Sequence, residues 1–174
     1  MVATPVSPVS PSVLNVAFLI SANTETKRPD MLFTQNRDEM RRFYLQAWQK
    51  QCKKLPLEPL EAQVADIIEL HPEYHTLLQQ GEEQLNKEWT PEMGESNPFL
   101  HMGMHLAIRE QLSTDRPPGI RAATQKLLRL TGDGHATEHQ MMECLGEALW
   151  NGQRDNQTPD EQRYLSCVEQ LSRR

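Results

Sequence analysis

Several features that would assign a common function are missing from this sequence. No apolar run approaches the roughly 20 residues that a membrane-spanning helix needs, so no membrane span is predicted. The net charge of −6 argues against a nucleic-acid partner, because binding phosphates needs a basic surface. The chain has neither a glycine-rich phosphate loop nor a Gly-x-Ser-x-Gly elbow, so neither a P-loop nucleotide site nor an α/β-hydrolase is indicated.

Cysteine is also scarce. The three cysteines, Cys52, Cys144 and Cys167, are widely spaced and include no Cys-x-x-Cys motif, so neither a zinc ribbon nor a redox pair is indicated. We expect them to be reduced thiols in a cytoplasmic protein. Cys144 lies near the last histidines of the chain and has two interpretations, a soft metal ligand or a small buried hydrophobic residue. The second is the more common role of a free cysteine.

The N-terminal segment, residues 1–30, differs in composition from the rest of the chain. Pro5, Pro8 and Pro11 alternate with valine, serine and threonine, a pattern that cannot form a packed helix. The first basic residue, Lys27, follows the short apolar run at residues 13–20 instead of preceding it, which argues against a secretory signal. We therefore predict that this segment is a disordered extension, or that the true start is Met31.

The rest of the chain, residues 31–174, has apolar residues that recur with the period of a helix, and no strand-like alternation appears. The predicted fold is therefore an all-α, single-domain bundle of four or five main helices joined by short loops. Helices are predicted at residues 37–53, 58–71, 99–112, 120–130, 135–151 and 159–171.

Four residues, Pro72, Ser96, Asn97 and Asp133, predict where helices near the histidines begin and end. Proline disfavours the helical conformation of the residue before it, so we predict that one helix ends at His71 and a short one begins at Pro72. Ser96 and Asn97 precede one helical pattern and Asp133 precedes another, and all three side chains suit the N-cap position.

Histidine, in contrast to cysteine, follows a repeated pattern. All six histidines fall in pairs four residues apart, whereas random placement would give about 0.2 such pairs. Residues at i and i+4 share one face of a helix, so both rings of a pair can point to one place. Facing helices of a bundle build metal sites from ligands placed in this way. The pairs are His71 with His75, His101 with His105, and His135 with His139.

The sequence therefore predicts a metal site between helices. Glu143 lies one turn after His139 and extends the last pair to His-x-x-x-His-x-x-x-Glu. The full set of predicted ligands exceeds what one tetrahedral zinc ion uses, so it suits two transition-metal ions, or one ion with histidines left for acid–base work. Imidazole and carboxylate together fit iron, zinc, manganese or nickel. The predicted ligands are His71, His75, His101, His105, His135, His139 and Glu143.

The ring nitrogens of the ligands are predicted to be oriented by hydrogen bonds with Glu110, Glu138 or Arg109. Glu138 also completes a His-x-x-Glu-His motif at residues 135–139, the signature of inverted zinc peptidases. A peptidase needs a large domain with a substrate cleft and a distant third ligand, and a short bundle lacks room for these. We therefore expect Glu138 to orient a ligand or to face solvent.

Four strings of residues carry a resemblance to a known family. They are Arg41-Arg42-Phe43-Tyr44, Leu70-His71-Pro72-Glu73-Tyr74-His75, Asn97-Pro98-Phe99-Leu100-His101-Met102-Gly103-Met104-His105 and Met141-Met142-Glu143-Cys144-Leu145-Gly146. From residue 38 onward the chain resembles an uncharacterised family of short bacterial helical proteins, a domain of unknown function. The resemblance implies a bacterial cytosolic protein, and it does not imply any particular activity. The histidine spacing is also similar, in site type alone, to metal-binding bundles such as hemerythrins.

Three functions are compatible with these patterns. The favoured one is a metal-binding helical bundle, either a metalloenzyme acting on a small-molecule substrate or a protein that handles oxygen or electrons. The alternative is a regulatory or interaction module whose histidines are structural and bond to Glu110, Glu143 or Glu147. The third is a metal-free enzyme that uses histidine and glutamate as acid and base. Imidazole rings converging from three helices would favour the first function, and splayed rings would favour the others.

Overall fold

A computed structural model describes residues 31–81, Trp89 and residues 97–173, with side chains from residue 37 onward. These residues form helices and turns with no strand among them, which confirms the predicted all-α fold. The predictions for residues 1–30 lie outside the described part of the chain, as does most of the loop before residue 97. The helices are α1 (Met31–Cys52), α2 (Pro59–Glu69), α3 (His75–Gln79), α4 (Pro98–Thr114), α5 (Ile120–Thr131), α6 (Gly134–Arg154) and α7 (Glu161–Leu171), with a 3-10 turn (Pro72–Tyr74) before α3.

The helix ends near the histidines follow from local sequence. After α2 ends at Glu69, His71 is the N-cap of the 3-10 turn that Pro72 begins, so the predicted interruption at this proline is confirmed. The side chain of Asn97 accepts hydrogen bonds from two backbone N–H groups in the first turn of α4, as predicted. Apart from α1, which begins at Met31 instead of residue 37, the main helices begin and end within three residues of their predicted positions.

The turn between α5 and α6 sets the start of the helix that carries the last histidines. Gly132 ends α5 with a φ of +71°, a left-handed conformation that glycine adopts without steric cost. Asp133 then caps α6, and its carboxylate accepts a hydrogen bond from the backbone N–H of Ala136 at 2.6 Å. This cap, which was predicted, fixes the first turn of α6.

The buried apolar side chains form two clusters that share α4. The N-terminal core packs α1, α2 and α3 against the first half of α4, and the C-terminal core packs the second half of α4 against α5, α6 and α7. Met102 and Leu106 belong to the N-terminal core, whereas Ala107 and Ile108 belong to the C-terminal core. The change from one core to the other therefore falls next to His105.

Two of the three cysteines are joined in a disulfide. Cys144 of α6 and Cys167 of α7 are bonded with their Cα atoms 5.8 Å apart, while Cys52 is free and exposed. The prediction of reduced thiols is therefore wrong for Cys144 and Cys167, because α7 packs against α6 and brings together residues 23 positions apart. No helix of the described residues has the length and apolar character to span a membrane. The cytoplasmic location stays a prediction.

Candidate metal centre

Four of the predicted ligands come together from three parts of the fold. His71 lies at the start of the 3-10 turn, His105 in the middle of α4, and His135 and His139 on the first two turns of α6. One ring nitrogen of each lies within 4.8 Å of the other three, so this group could hold a metal ion. His71 and His105 are buried, with 1% and 0% of their surface exposed, whereas the other two are half-buried. We call these four residues the histidine cluster.

The closest contacts within the histidine cluster join Nε2 atoms. Nε2 of His71 lies 2.9 Å from Nε2 of His105. Nε2 of His135 lies 3.1 Å from that of His71, and Nε2 of His139 lies 3.2 Å from that of His105. The same nitrogen of each ring therefore points towards a shared centre.

The opposite nitrogen of two rings is held by a carboxylate. The Nδ1–H group of His71 donates to Oε1 of Glu73 at 2.8 Å, and that of His105 donates to Oε2 of Glu138 at 2.6 Å. The other oxygen of Glu138 accepts from Nε–H of Arg109 at 3.2 Å. In metal sites such carboxylates orient the ring and fix which nitrogen carries the proton. The contact of Glu138 with a ring nitrogen is the one predicted for it, whereas Arg109 donates to this carboxylate instead of contacting a ring.

These hydrogen bonds leave the facing nitrogens of His71 and His105 without protons. A neutral imidazole carries one N–H group, and in both rings that group is Nδ1–H, directed at a carboxylate. Nε2 of each ring therefore presents a lone pair, and the two lone pairs face each other across 2.9 Å. Two acceptors at this distance repel each other unless a cation or a proton lies with them.

Burial disfavours an additional proton on His105. Burial is the largest cause that lowers the pKa of His105 below its ordinary value, although the hydrogen bond and the charge of Glu138 act in the opposite direction. Burial and the neighbouring His135 also lower the pKa of His139. Burial raises the pKa of Glu138, but the hydrogen bond from His105 and the charge of Arg109 bring it below its ordinary value, so Glu138 is ionised. The group of facing nitrogens is one that could hold a metal ion.

His101 lies beside the histidine cluster without belonging to it. It precedes His105 by one turn of α4, and its ring meets those of His71, His105 and His139 edge to face, with centroids 4.7, 5.0 and 5.0 Å apart. Nε2 of His101 is buried and has no hydrogen-bond partner among the described residues. Burial, together with the neighbouring histidines, lowers the pKa of His101 to about 4, so the ring is neutral at physiological pH.

His75 lies away from the histidine cluster. Its ring packs on Trp48 with centroids 4.5 Å apart, and its Nε2–H group donates to the backbone oxygen of Ile68 at 2.9 Å. The 3-10 turn that Pro72 begins separates His75 from His71, so the pair does not share one helical face. Both the ring and its nitrogen are engaged elsewhere, and the geometry leaves His75 out of the candidate ligand set.

Glu143 also lies away from the histidine cluster. It is exposed and lines an open surface cavity of about 410 Å³ with Leu127 and Leu171. Each step of four residues moves about 6 Å along a helix and rotates about 40°. Glu143 lies two such steps after His135, so it is away from the end of α6 that carries the cluster. The candidate site therefore contains nitrogen donors alone among the described residues.

Two other sequence interpretations can be compared with this geometry. In the His-x-x-Glu-His motif, Glu138 is bonded to His105 and Arg109, so it orients a ring and is not placed to activate a peptidase water. Glu147, an alternative partner for structural histidines, pairs with Arg163 at the surface with N and O 2.6 Å apart. Glu73 was missed, although its place two residues after His71 puts it in the same tight turn.

Comparison with known proteins gives a family and no activity. No curated protein sequence and no solved structure matches the chain. Residues 36–170 match the family described as Domain of unknown function (DUF1841), and the match includes all four residues of the histidine cluster. The bacterial origin and the likeness to hemerythrins stay predictions. Because the match extends over most of its length, the chain belongs to the DUF1841 family.

Proposed function

We propose that the protein binds one transition-metal ion through the Nε2 atoms of the histidine cluster. The observation that supports this most directly is the 2.9 Å separation between Nε2 of His71 and Nε2 of His105, whose protons are held on the opposite side of each ring. A cation at the centre replaces the repulsion of two lone pairs by two coordinate bonds. His135 and His139 bring two more nitrogens to the same place.

The spacing of the nitrogens also supports a metal ion. Zinc–nitrogen bonds of about 2.0–2.1 Å place tetrahedral ligand nitrogens about 3.3–3.4 Å apart. The three short separations in the cluster are 2.9, 3.1 and 3.2 Å, so small ring rotations accommodate an ion. The carboxylates of Glu73 and Glu138 supply the outer hydrogen bonds that keep such rings in place.

The donor set narrows the choice of metal. With Glu143 outside the cluster, all four donors are imidazole nitrogens. Imidazole suits zinc, copper, iron and nickel, whereas manganese is better matched by carboxylate and water oxygens. We therefore expect zinc, iron, nickel or copper in preference to manganese. One ion is expected, because the four nitrogens lie within 4.8 Å of one another.

The competing function is a regulatory or interaction module with structural histidines. In such a protein, His135 and His139 would donate from Nε2 to the rings of His71 and His105. That network still leaves the contact between His71 and His105 without a proton, because each ring already carries one on Nδ1. A second proton would have to charge a buried ring, and burial lowers the pKa of His105. The metal site is therefore the better account.

For activity, the proposal extends to a metalloenzyme that acts on a small molecule, or to a protein that handles oxygen or electrons. The support for this extension is His101, an imidazole that the four-nitrogen site does not need. Its ring lies against three of the ligands, and its buried Nε2 is unpartnered among the described residues.

The metal content of the purified protein tests the proposal. Protein prepared without an affinity tag or chelator is expected to hold about one equivalent of a transition metal by elemental analysis, and to regain about one after chelation. His105→Ala and His139→Ala are expected to lose the ion. Glu143→Gln is the matched control, because it changes an exposed residue on the helix that carries His139.

A second control separates loss of metal from loss of fold. His75→Gln removes a histidine outside the cluster and is expected to keep the ion, and far-UV circular dichroism checks the helix content of every variant. Two results contradict the proposal. One is less than about a tenth of an equivalent of metal in the wild type with no uptake on titration. The other is equal metal retention in His105→Ala and Glu143→Gln.

A further inference from the structure

The disulfide that joins α6 and α7 lies beside a surface cavity. This cavity has a volume of about 270 Å³, and both Cys144 and Cys167 line it. The exposed side chains that line it are all polar, and they are Glu147, Arg163, Ser166 and Gln170. A small molecule in the cavity would therefore meet the S–S bond without any helix having to unfold.

The two cysteines of the disulfide differ in exposure. Cys144 is 2% exposed and belongs to the C-terminal core, whereas Cys167 is half-buried and packs against the edge of that core. Thiol–disulfide exchange begins when a thiolate attacks one of the two sulfurs, and access decides which one. Cys167 is therefore the sulfur open to attack, and Cys144 is the leaving group. Once reduced, Cys144 is a small hydrophobic side chain that suits a buried position.

Contacts other than the disulfide also hold α7 in place. The hydroxyl of Tyr164, a buried residue, donates to Oε1 of Gln111 at 2.9 Å. Val168 is fully buried in the C-terminal core. At the cavity, Arg163 of α7 pairs with Glu147 of α6, with N and O 2.6 Å apart. These contacts would keep the two cysteines close to each other after reduction, so the bond could form again.

We propose that Cys144 and Cys167 are a reversible redox pair that exchanges with small thiols and disulfides through this cavity. The thiolate of a small thiol attacks Sγ of Cys167 to form a mixed disulfide, and Cys144 leaves as a thiolate that takes up a proton. A second thiolate attacks the added sulfur, and Cys167 leaves and takes up a proton in turn. Two cysteines are thus reduced while two small thiols become one disulfide, and the same steps in reverse restore the bond. The inference uses no part of the histidine cluster, so it stands or falls independently of the proposed metal site.

Two variants that each keep one cysteine of the pair test which sulfur reacts. Both are made in a Cys52→Ser background, because Cys52 is free and exposed and would react itself. After the same brief exposure to oxidised glutathione, Cys144→Ala is expected to carry about tenfold more glutathione, on Cys167, than Cys167→Ala carries on Cys144, because a buried thiol is inert. The reduced Cys52→Ser parent is expected to form its disulfide again and to keep no glutathione. Intact-mass spectrometry measures the adducts, and far-UV circular dichroism checks that each variant keeps its helices.

The wild-type protein tests access and reversibility without any substitution. Dithiothreitol is expected to reduce the disulfide in the absence of denaturant with the helix content retained, and oxidised glutathione is expected to restore it. In the reduced folded protein, iodoacetamide should alkylate Cys52 and Cys167 before Cys144, and peptide mapping shows this order even where a cysteine variant fails to fold. The inference is overturned if reduction requires denaturant, if the reduced protein loses its helices or does not form the bond again, or if Cys144 and Cys167 react equally with either reagent.

Discussion

At the scale of single residues, Glu138 decides which nitrogen of His105 is available. Its two oxygens bind His105 and Arg109 separately, and its pKa lies below the ordinary value despite burial. The ionised carboxylate keeps the proton of His105 on Nδ1 and so keeps the Nε2 lone pair directed at the centre of the cluster. The peptidase-like spacing around Glu138 thus serves the orientation of a ring on another helix.

Removing this carboxylate is expected to weaken metal binding. Glu138→Ala should lower the metal affinity about 10- to 100-fold, the usual effect of losing a carboxylate that orients a ligating histidine. Glu138→Gln should cause a smaller loss, because its amide oxygen still accepts from Nδ1–H. Competition with a chromophoric chelator measures both values, with Glu143→Gln as the control. An unchanged affinity in Glu138→Ala would rule out the orienting role.

The buried histidines are expected to lower the stability of the metal-free protein at acid pH. Burial lowers the pKa of His101 to about 4 and brings the pKa values of His105 and His139 below their ordinary value of 6.5. Between about pH 6.5 and 4, the unfolded chain therefore binds more protons than the folded chain, and the free energy of unfolding falls as the pH falls.

Urea titrations of the metal-free protein measure whether the free energy of unfolding falls with falling pH. The free energy of unfolding should be lower at about pH 5 than at about pH 7, and His101→Asn should reduce the difference, because that variant lacks one group of lowered pKa. His75→Asn is the control, since its ring is engaged outside the cluster. Equal stability at the two pH values would mean that the folded chain does not hold these rings neutral.

At the scale of the elements, the N-terminus of α6 carries half of the histidine cluster. Asp133 caps this helix through a hydrogen bond from the N–H of Ala136, two residues after the helix begins. Asp160 caps α7 in the same manner, and α7 carries no part of the cluster. The chain thus offers two caps of one residue type, one at the site and one away from it.

The two caps allow a matched comparison. Asp133→Ala and Asp160→Ala should each lower the free energy of unfolding by about 1 kcal/mol, the typical effect of losing an N-cap. Asp133→Ala alone should also weaken metal binding, because fraying of the first turn of α6 displaces His135. Chemical denaturation of the metal-free variants and metal titration measure the two effects separately. Equal metal affinity in the two variants would contradict the role given to this cap.

The elements could be predicted because their signals are local. The interruption at Pro72 and the caps at Asn97 and Asp133 each depend on a few neighbouring residues, and all three are found as predicted. The spacing of His135 and His139 likewise fixes their common face within one helix. The ends of a helix and the face on which its side chains lie can therefore be predicted from the sequence.

Contacts between elements could not be predicted in the same way. Glu143 continues the spacing of His135 and His139, yet it lies between α5 and α7, where no histidine of the described residues reaches. Cys144 and Cys167 show no spacing signal, because their pairing depends on how α7 packs on α6. Spacing gives the direction of a side chain on its own helix, and the neighbour that it meets is decided by packing.

At the scale of the whole molecule, the histidine cluster lies where the two cores meet. His71 follows α2, which packs in the N-terminal core, whereas His135 and His139 belong to α6, which packs in the C-terminal core. His105 comes from α4, the helix that both cores share. An ion in the cluster would therefore connect the two cores at a second place besides α4.

Because the cluster lies between the two cores, we expect a bound metal ion to protect amides near the cluster from hydrogen exchange more than amides far from it. Zinc at about 100 times its dissociation constant adds about 2.7 kcal/mol to the stability of the folded state. Amides that exchange through local opening of the 3-10 turn and of the first turns of α6 should slow when zinc is added. Amides in the last turn of α7 should not slow, because local opening there leaves the ion bound. His71→Ala should abolish the protection and Glu143→Gln should retain it, as measured by hydrogen exchange and mass spectrometry. Equal slowing at α7 and at the 3-10 turn would exclude a connection localised at the cluster.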